Sequence, residues 1–152
     1  MTKGIIHTEK GDLTVEFYDD AAPNTVANFV KLAKSGYYNG LIFHRVIPNF
    51  MIQGGDPTGT GAGGPGYTID CETEGDLQYH DRGVLSMAHA GRNTGGSQFF
   101  ICHNRQGTQH LDRKHTAFGR VVGNVDVIDQ IKPRDKILSI EILSDNDTVA
   151  QS

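Results

Sequence analysis

The chain has 152 residues, 37% of them hydrophobic and 21% charged, the length and balance of a single soluble globular domain. Its formal charge of −4 and pI of about 5.9 argue against a nucleic-acid partner, which needs clustered cations. Lys132-Pro133-Arg134 is too short to supply such a cluster. No run reaches membrane-spanning length, and Met1 to Glu9 lacks the apolar core of a signal peptide. A cytoplasmic location with no membrane partner is therefore expected. Cys71 and Cys102, outside any Cys-x-x-Cys pair, suit that reducing compartment.

In chain order, the N-terminus reads as a hairpin. Ile5-Ile6-His7 turns through Glu9-Lys10-Gly11 into Leu13, Val15 and Phe17, which alternate with Thr14 and Glu16. Pro23 or Asn24 opens a helix with an apolar face of Val26, Phe29, Val30 and Ala33, stopped by Gly36. Strand-like segments recur at Leu41–Ile47, Met51–Gln53, Val84–Met87, Phe99–Cys102, Thr116–Val122 and Ile137–Leu143. A shorter helix is expected over Val125–Ile131, capped by Asn124 and ended before Pro133. No repeat or compositional break divides residues 1–145, which read as one domain followed by a short polar tail, 146–152. The expected fold is mainly β: a closed eight-stranded antiparallel barrel capped by two α-helices, because closure removes exposed strand edges. Two segments have no evident strand or helix, Asp56–Gly66 and His103–His115. Polar loops of this kind on a rigid scaffold collect binding residues.

Several short motifs invite chemistry that their context does not support. Gly59-Thr60-Gly61-Ala62-Gly63-Gly64 spells the dinucleotide pattern, but that fingerprint needs a strand before it and a helix after it. Pro57 and Pro65-Gly66 flank it instead, so a structural turn is expected. Ser97 lies in Gly96-Ser97-Gln98 rather than Gly-x-Ser-x-Gly, and a buried hydrogen-bonding role is expected. Cys102, His103, His110 and His115 raise a metal reading, but His-x4-His is not the one-turn helical spacing of a zinc pair. No metal and no cofactor are expected.

Arg45 differs. It lies in Phe43-His44-Arg45-Val46-Ile47, where period two would place Phe43, Arg45 and Ile47 on one face. No carboxylate occurs in that run or in Gly95–Ile101. A guanidinium against apolar walls is costly to bury, and Phe50, Met51, Phe99, Phe100 and Leu111 supply more apolar surface than one strand edge needs. No nucleophile with its base accompanies it. This composition suits a site that binds and distorts its substrate.

At this point the residues resemble a known family. Phe43-His44-Arg45-Val46-Ile47-Pro48-Asn49-Phe50-Met51-Ile52-Gln53-Gly54-Gly55-Asp56 resembles the central signature of the cyclophilins, the peptidyl-prolyl cis-trans isomerases. Leu85–Gly91 with Asn93–Ile101, and then Leu111–Gly119, resemble its second and third blocks. The chain is similar to compact bacterial cytosolic members. The resemblance implies an eight-stranded barrel with two helices, proline-containing peptides and folding proteins as partners, and no metal or nucleotide. It places the catalytic arginine on Arg45 and the proline pocket on Phe50, Met51, Phe100, Leu111 and His115. Backbone-binding positions fall on Gln53, Ala88, His89 and Gln98. His89 stands where the best-known eukaryotic members have asparagine. His110 stands where they have a tryptophan that helps bind cyclosporin, so reduced affinity for that drug is expected. The rival expectation is a non-catalytic module that docks proline peptides in the same pocket, and Arg45 separates the two.

Overall fold

The computed structural model describes residues 1–143; the expected domain end at residue 145 and the tail 146–152 lie outside the described residues. The first hairpin forms as its alternation dictates. β1 (Lys3–Thr8) and β2 (Gly11–Phe17) pair antiparallel, with Leu13, Val15 and Phe17 fully buried. Gly11, at φ 138°, makes the tight reversal. α1 (Pro23–Lys34) starts with proline in its first turn and buries Val26, Phe29, Leu32 and Ala33. Gly36, at φ 81°, lies just past its end.

The remaining strands are β3 (Arg45–Ile47), β4 (Met51–Gly54), β5 (Val84–Met87), β6 (Phe99–Cys102), β7 (Ala117–Gly123) and β8 (Ile137–Leu143). All eight form one antiparallel sheet ordered β3-β4-β6-β5-β7-β2-β1-β8. The ladder is open, which corrects the expectation of a closed barrel. Only Arg45–Ile47 of the expected strand Leu41–Ile47 is β3. The preceding residues instead lie along the start of β8, through an isolated bridge of Ile42 with Lys136. Backbone bonds of 2.7 Å (Ile137 N–H to Leu41 O) and 2.9 Å (Phe43 N–H to Asp135 O) accompany it. Pro133, close before β8, has no N–H to extend a ladder there.

The second expected helix is also corrected. Val125–Asp129 forms a 3₁₀ helix, and Asn124 precedes it in a left-handed conformation without a side-chain cap. The second α-helix, α2 (Arg105–Thr108), lies in the segment that shows no helical pattern. A 3₁₀ turn, Gln109–Leu111, continues it.

Around β4, β5, β6 and the start of β7 the sheet buries both its faces, and this positions the site. Inner residues, among them Phe17, Ile52, Leu85, Phe99, Ile101 and Phe118, pack with Phe29 and Tyr38 into the main core. Phe29 is at its centre, 5.0–5.4 Å by ring centroids from Tyr38, Phe118, Phe99 and Phe17. The alternate residues Met51, Val84, Phe100, Cys102 and Ala117 form a second cluster on the opposite face, joined by Phe50, Ala88 and Leu111. Apolar runs such as Phe99–Cys102 lack alternation because they face apolar neighbours on both sides.

The glycine-rich loop is a turn built around a carboxylate. Asp56 is buried and accepts N–H groups from Thr58, Thr60 and Gly61 at 2.6–3.0 Å, together with the Thr58 hydroxyl. The loop's amides therefore point inward onto Asp56, and they do not form a phosphate cradle. A Cβ on Gly63 would stand 2.1 Å from the Asp56 Oδ1. Burial alone would raise the Asp56 pKa, but these hydrogen bonds overcome it and hold the value at about 2. A carboxyl depressed in the folded state stabilises above its unfolded pKa, and that stability is lost as pH falls toward the folded value. Asp56→Asn should cost about 2 kcal/mol at neutral pH. In urea titrations at a series of pH values, its deficit against the parent should shrink between about pH 4 and pH 2.

Candidate active site

Arg45, Phe50, Met51, Gln53, Ala88, His89, Phe100, Leu111 and His115 line one cavity of about 260 Å³ on the outer face of the sheet. Cross-strand register brings three of them together. Arg45 is opposite Gln53, Gln53 opposite Phe100, and Phe100 opposite Ser86. Leu111 and His115 come from the segment after α2 that covers this face.

Arg45 is exposed at the cavity rim, with its guanidinium carbon 6.0 Å from the centroid of the Phe50 ring. The arginine is thus not buried, and no desolvation penalty arises; the ring face holds it by a cation–π contact. Phe43 does not share its face. Phe43 lies in the main core with Val46, while Ile47 packs on the second cluster. The backbone leaves the strand between Phe43 and Arg45, and parity is lost there.

Phe50 is carried on the reversal between β3 and β4. Pro48 precedes Asn49, whose φ is 63°, and the Phe50 N–H bonds the Ile47 carbonyl at 3.0 Å, the arrangement of a type II turn. The Asn49 N–H donates to Nδ1 of buried His103 at 3.0 Å. Gly107 of α2 packs so closely that a Cβ would lie 2.0 Å from the Asn49 carbonyl oxygen. His110 does not line the cavity; its ring stacks on Phe50 with centroids 5.8 Å apart.

The polar rim is wired by amides. Gln53 Nε2 donates to Gln98 Oε1 at 3.0 Å. Gln98 in turn donates to the Gly61 and Gly63 carbonyls, both at 2.9 Å. A larger cavity of about 540 Å³ adjoins the first, and Gln53, Ala88 and His89 form the ridge between them. Gln98 lines only this second cavity. Ser97 is buried, as expected: its hydroxyl donates to the Gly55 carbonyl at 2.7 Å and meets the Tyr37 hydroxyl at 3.0 Å.

Sequence reasoning missed the support behind the pocket. His80 is fully buried, its ring stacked on Phe100 at 5.9 Å. Its Nε2 lies 2.7 Å from the Ser86 hydroxyl and its Nδ1 3.3 Å from Asp112. Burial lowers the His80 pKa to about 4 against the pull of Asp112, so the ring behind Phe100 is neutral. His115 is also lowered, first by burial and then by the neighbouring His89 and His110, against the Met87 carbonyl that raises it. Of the side chains that raised a metal reading, Cys102 is buried, which pushes its thiol up to about 12. His103 is committed to Asn49, and His110 to Phe50.

The pocket therefore offers an apolar cup, a fixed cation at its rim and amide groups beside it, with no nucleophile. The sequence profile described as "Cyclophilin type peptidyl-prolyl cis-trans isomerase/CLD" matches residues 4–148. The chain belongs to the cyclophilins. It is 56% identical over 147 residues to a peptidyl-prolyl cis-trans isomerase of Synechococcus elongatus, covering 95% of this chain and 99% of that one. Peptidyl-prolyl cis-trans isomerase B of Bacillus subtilis is 52% identical over 143 residues, covering 93% and 99%. A Cryptosporidium parvum cyclophilin, whose crystal structure was determined in the presence of the dipeptide Ala-Pro, superposes with a TM-score of 0.87. It is 38% identical and covers 94% of this chain and 99% of its own. This cyclophilin is a peptidyl-prolyl cis-trans isomerase.

Proposed function

We propose that the 260 Å³ cavity is where an X-Pro bond is turned, with Arg45 as the catalytic residue. The convergence of a guanidinium with no carboxylate partner among the described residues and an apolar cup of proline size on one sheet face carries this reading. Amide resonance sets a barrier of roughly 18–20 kcal/mol, and uncatalysed exchange takes tens to hundreds of seconds. As the bond twists, the nitrogen lone pair localises on a pyramidal nitrogen. A donor aimed at the carbonyl oxygen would favour the planar ground state and slow the reaction, whereas a donor aimed at the prolyl nitrogen favours the twisted form. Arg45 takes the second role, and it stays charged at every working pH. Phe50, Met51, Phe100, Leu111 and His115 grip the proline ring. Gln53, Ala88, His89 and Gln98 hold the peptide backbone across the ridge. An Ala-Pro dipeptide accompanies the Cryptosporidium relative, which supports proline-containing peptides as ligands here.

The clients are folding proteins whose X-Pro bonds are still exchanging. Cys71 and Cys102 are free thiols, in keeping with a reducing cytoplasm. Among the described residues no helix is long and apolar enough to cross a membrane, and the net charge of −4 speaks against nucleic acid. The assay that tests the site is proline isomerisation of a short X-Pro peptide, run beside peptide binding on the same preparation. Loss of turnover with retained binding in an Arg45 variant is the expected signature.

Cyclosporin should bind weakly. His110 is exposed and offers a small polar ring where tryptophan would present a broad apolar face and an indole donor. His110→Trp should therefore raise drug affinity while turnover changes little, because the substituted ring stacks on Phe50 and does not line the cavity. Calorimetric affinity and turnover on one preparation check this. Equal changes in both would show that position 110 acts in catalysis as well.

A further inference from the structure

We propose that His89 is a positioning residue for the proline pocket, fixing the His115 wall through a reciprocal clamp between the two segments that carry these rings. The inference rests on the site assigned above. The two imidazoles stack face to face, with centroids 3.9 Å apart and planes 7° from parallel. His89 Nε2 lies 2.9 Å from the Lys114 carbonyl, next to His115 in the chain. His115 Nδ1 lies 2.8 Å from the carbonyl of Met87 in β5, two residues before His89. Each ring thus bonds the backbone beside the other. A nitrogen facing a carbonyl carries the proton, and one facing an N–H does not. The Gly91 N–H donates to His89 Nδ1 at 3.3 Å, so the His89 proton that meets the Lys114 carbonyl is on Nε2. His115 is the Nδ1–H form, with its Nε2 as acceptor. His115 then meets the Phe100 ring edge-on, with centroids 5.5 Å apart and planes at 79°, and completes the pocket wall.

The clamp depends on this pairing of donors with carbonyls and on the flat contact between the rings. A second proton on His89 would face the Gly91 N–H, and a second charge would stand one ring-stack away from the first. His110 and Arg45 add positive or protonatable groups near the pair, and His80 approaches from behind Phe100. On the far side, His89 shares a small crevice with Asp70 and Cys71. None of the residues lining the cavity is a carboxylate.

The experiment measures kcat and KM of parent, His89→Ala and His89→Phe against pH, and follows the His115 ring by NMR titration. His89→Ala should raise KM roughly three- to tenfold, the worth of one aromatic contact, with a smaller effect on kcat. Its acid limb of kcat/KM and its His115 titration midpoint should both move to higher pH, since a neighbour that disfavours the His115 charge is gone. His89→Phe restores a flat partner without the charge or the hydrogen bond, so it should recover part of the KM loss and keep the raised midpoint. A merely structural role would change the folded fraction and leave the midpoint alone. Parent-like KM and midpoint in folded His89→Ala, with Arg45→Ala inactive, would overturn the clamp and leave the site standing. Full activity in Arg45→Ala would instead overturn the site. Should His89→Ala fail to fold, the midpoint in His89→Phe decides: raised supports the clamp, unchanged ends it.

Discussion

Arg45→Ala should lower kcat/KM on the order of 10–100-fold or more, the loss of one charge-assisted hydrogen bond in the transition state. Its thermal midpoint should move little. The side chain is exposed at the rim and touches the fold mainly through the Phe50 ring face, 6.0 Å away, a contact worth about 0.5–1 kcal/mol at an exposed site. Peptide affinity should survive better than turnover, because the residues proposed to grip the proline ring remain. Arg45→Lys should also fail substantially, since an ammonium does not reproduce the planar fork of the guanidinium. A folded Arg45→Ala protein with near-normal kcat/KM would end the proposed mechanism. Peptide-coupled isomerisation kinetics and a thermal melt on the same sample provide both readouts.

The arithmetic shows why Arg45 cannot act alone. A rate gain on the order of 10⁵ requires about 7 kcal/mol, and one charge-assisted hydrogen bond supplies about 1.5–3 kcal/mol. The remainder must come from holding the peptide part-way twisted, and from an apolar surface that solvates the polar planar amide poorly. The second cluster suits that task because it is already packed. Met51 and Phe100 are buried in the sheet face, Phe50 and Leu111 close over it, and the segment after α2 lies along its edge. The turn carrying Phe50 is held by His103 and by the close approach of Gly107, so the rim is preformed.

How much of this could be read from the sequence depended on whether the signal was local. The first hairpin and α1 are legible because alternation, Pro23 and Gly36 act within a few residues. The pocket was legible because its residues occupy long motifs that recur as blocks. What the sequence did not disclose is set by tertiary contacts. Leu41–Phe43 looks like strand by composition, but its backbone partners are at the start of β8, ninety residues or so away. α2 has no apolar periodicity, and glycine is its third residue; its one local signal is Asn104, whose side chain accepts the Gly107 N–H at 2.7 Å. Val125–Asp129 carries β-branched residues and a left-handed Asn124, and it winds as 3₁₀. His80 stands in a polar stretch before β5, and only its tertiary contacts with Ser86 and the Phe100 ring reveal that it backs the pocket.

Phe100→Ala should be the more severe change for the molecule as a whole. The ring is buried, stacked on His80 at 5.9 Å and set edge-on to His115 at 5.5 Å, so it serves the second cluster and the pocket together. Truncation should cost about 3–5 kcal/mol of stability, as large aromatic deletions in packed sites do. It should also raise KM and lower kcat together, because in the proposed site the ring both binds proline and keeps water from the twisting amide. The two effects separate by experiment. Denaturant unfolding gives the stability loss, and kinetics corrected for the folded fraction give the catalytic one. If activity per folded molecule equals the parent's, Phe100 belongs to the core alone, and the pocket floor must be reassigned to Met51 and Leu111. If both parameters fall in the folded protein, the face of the sheet that stabilises the chain is also the face that turns the proline bond.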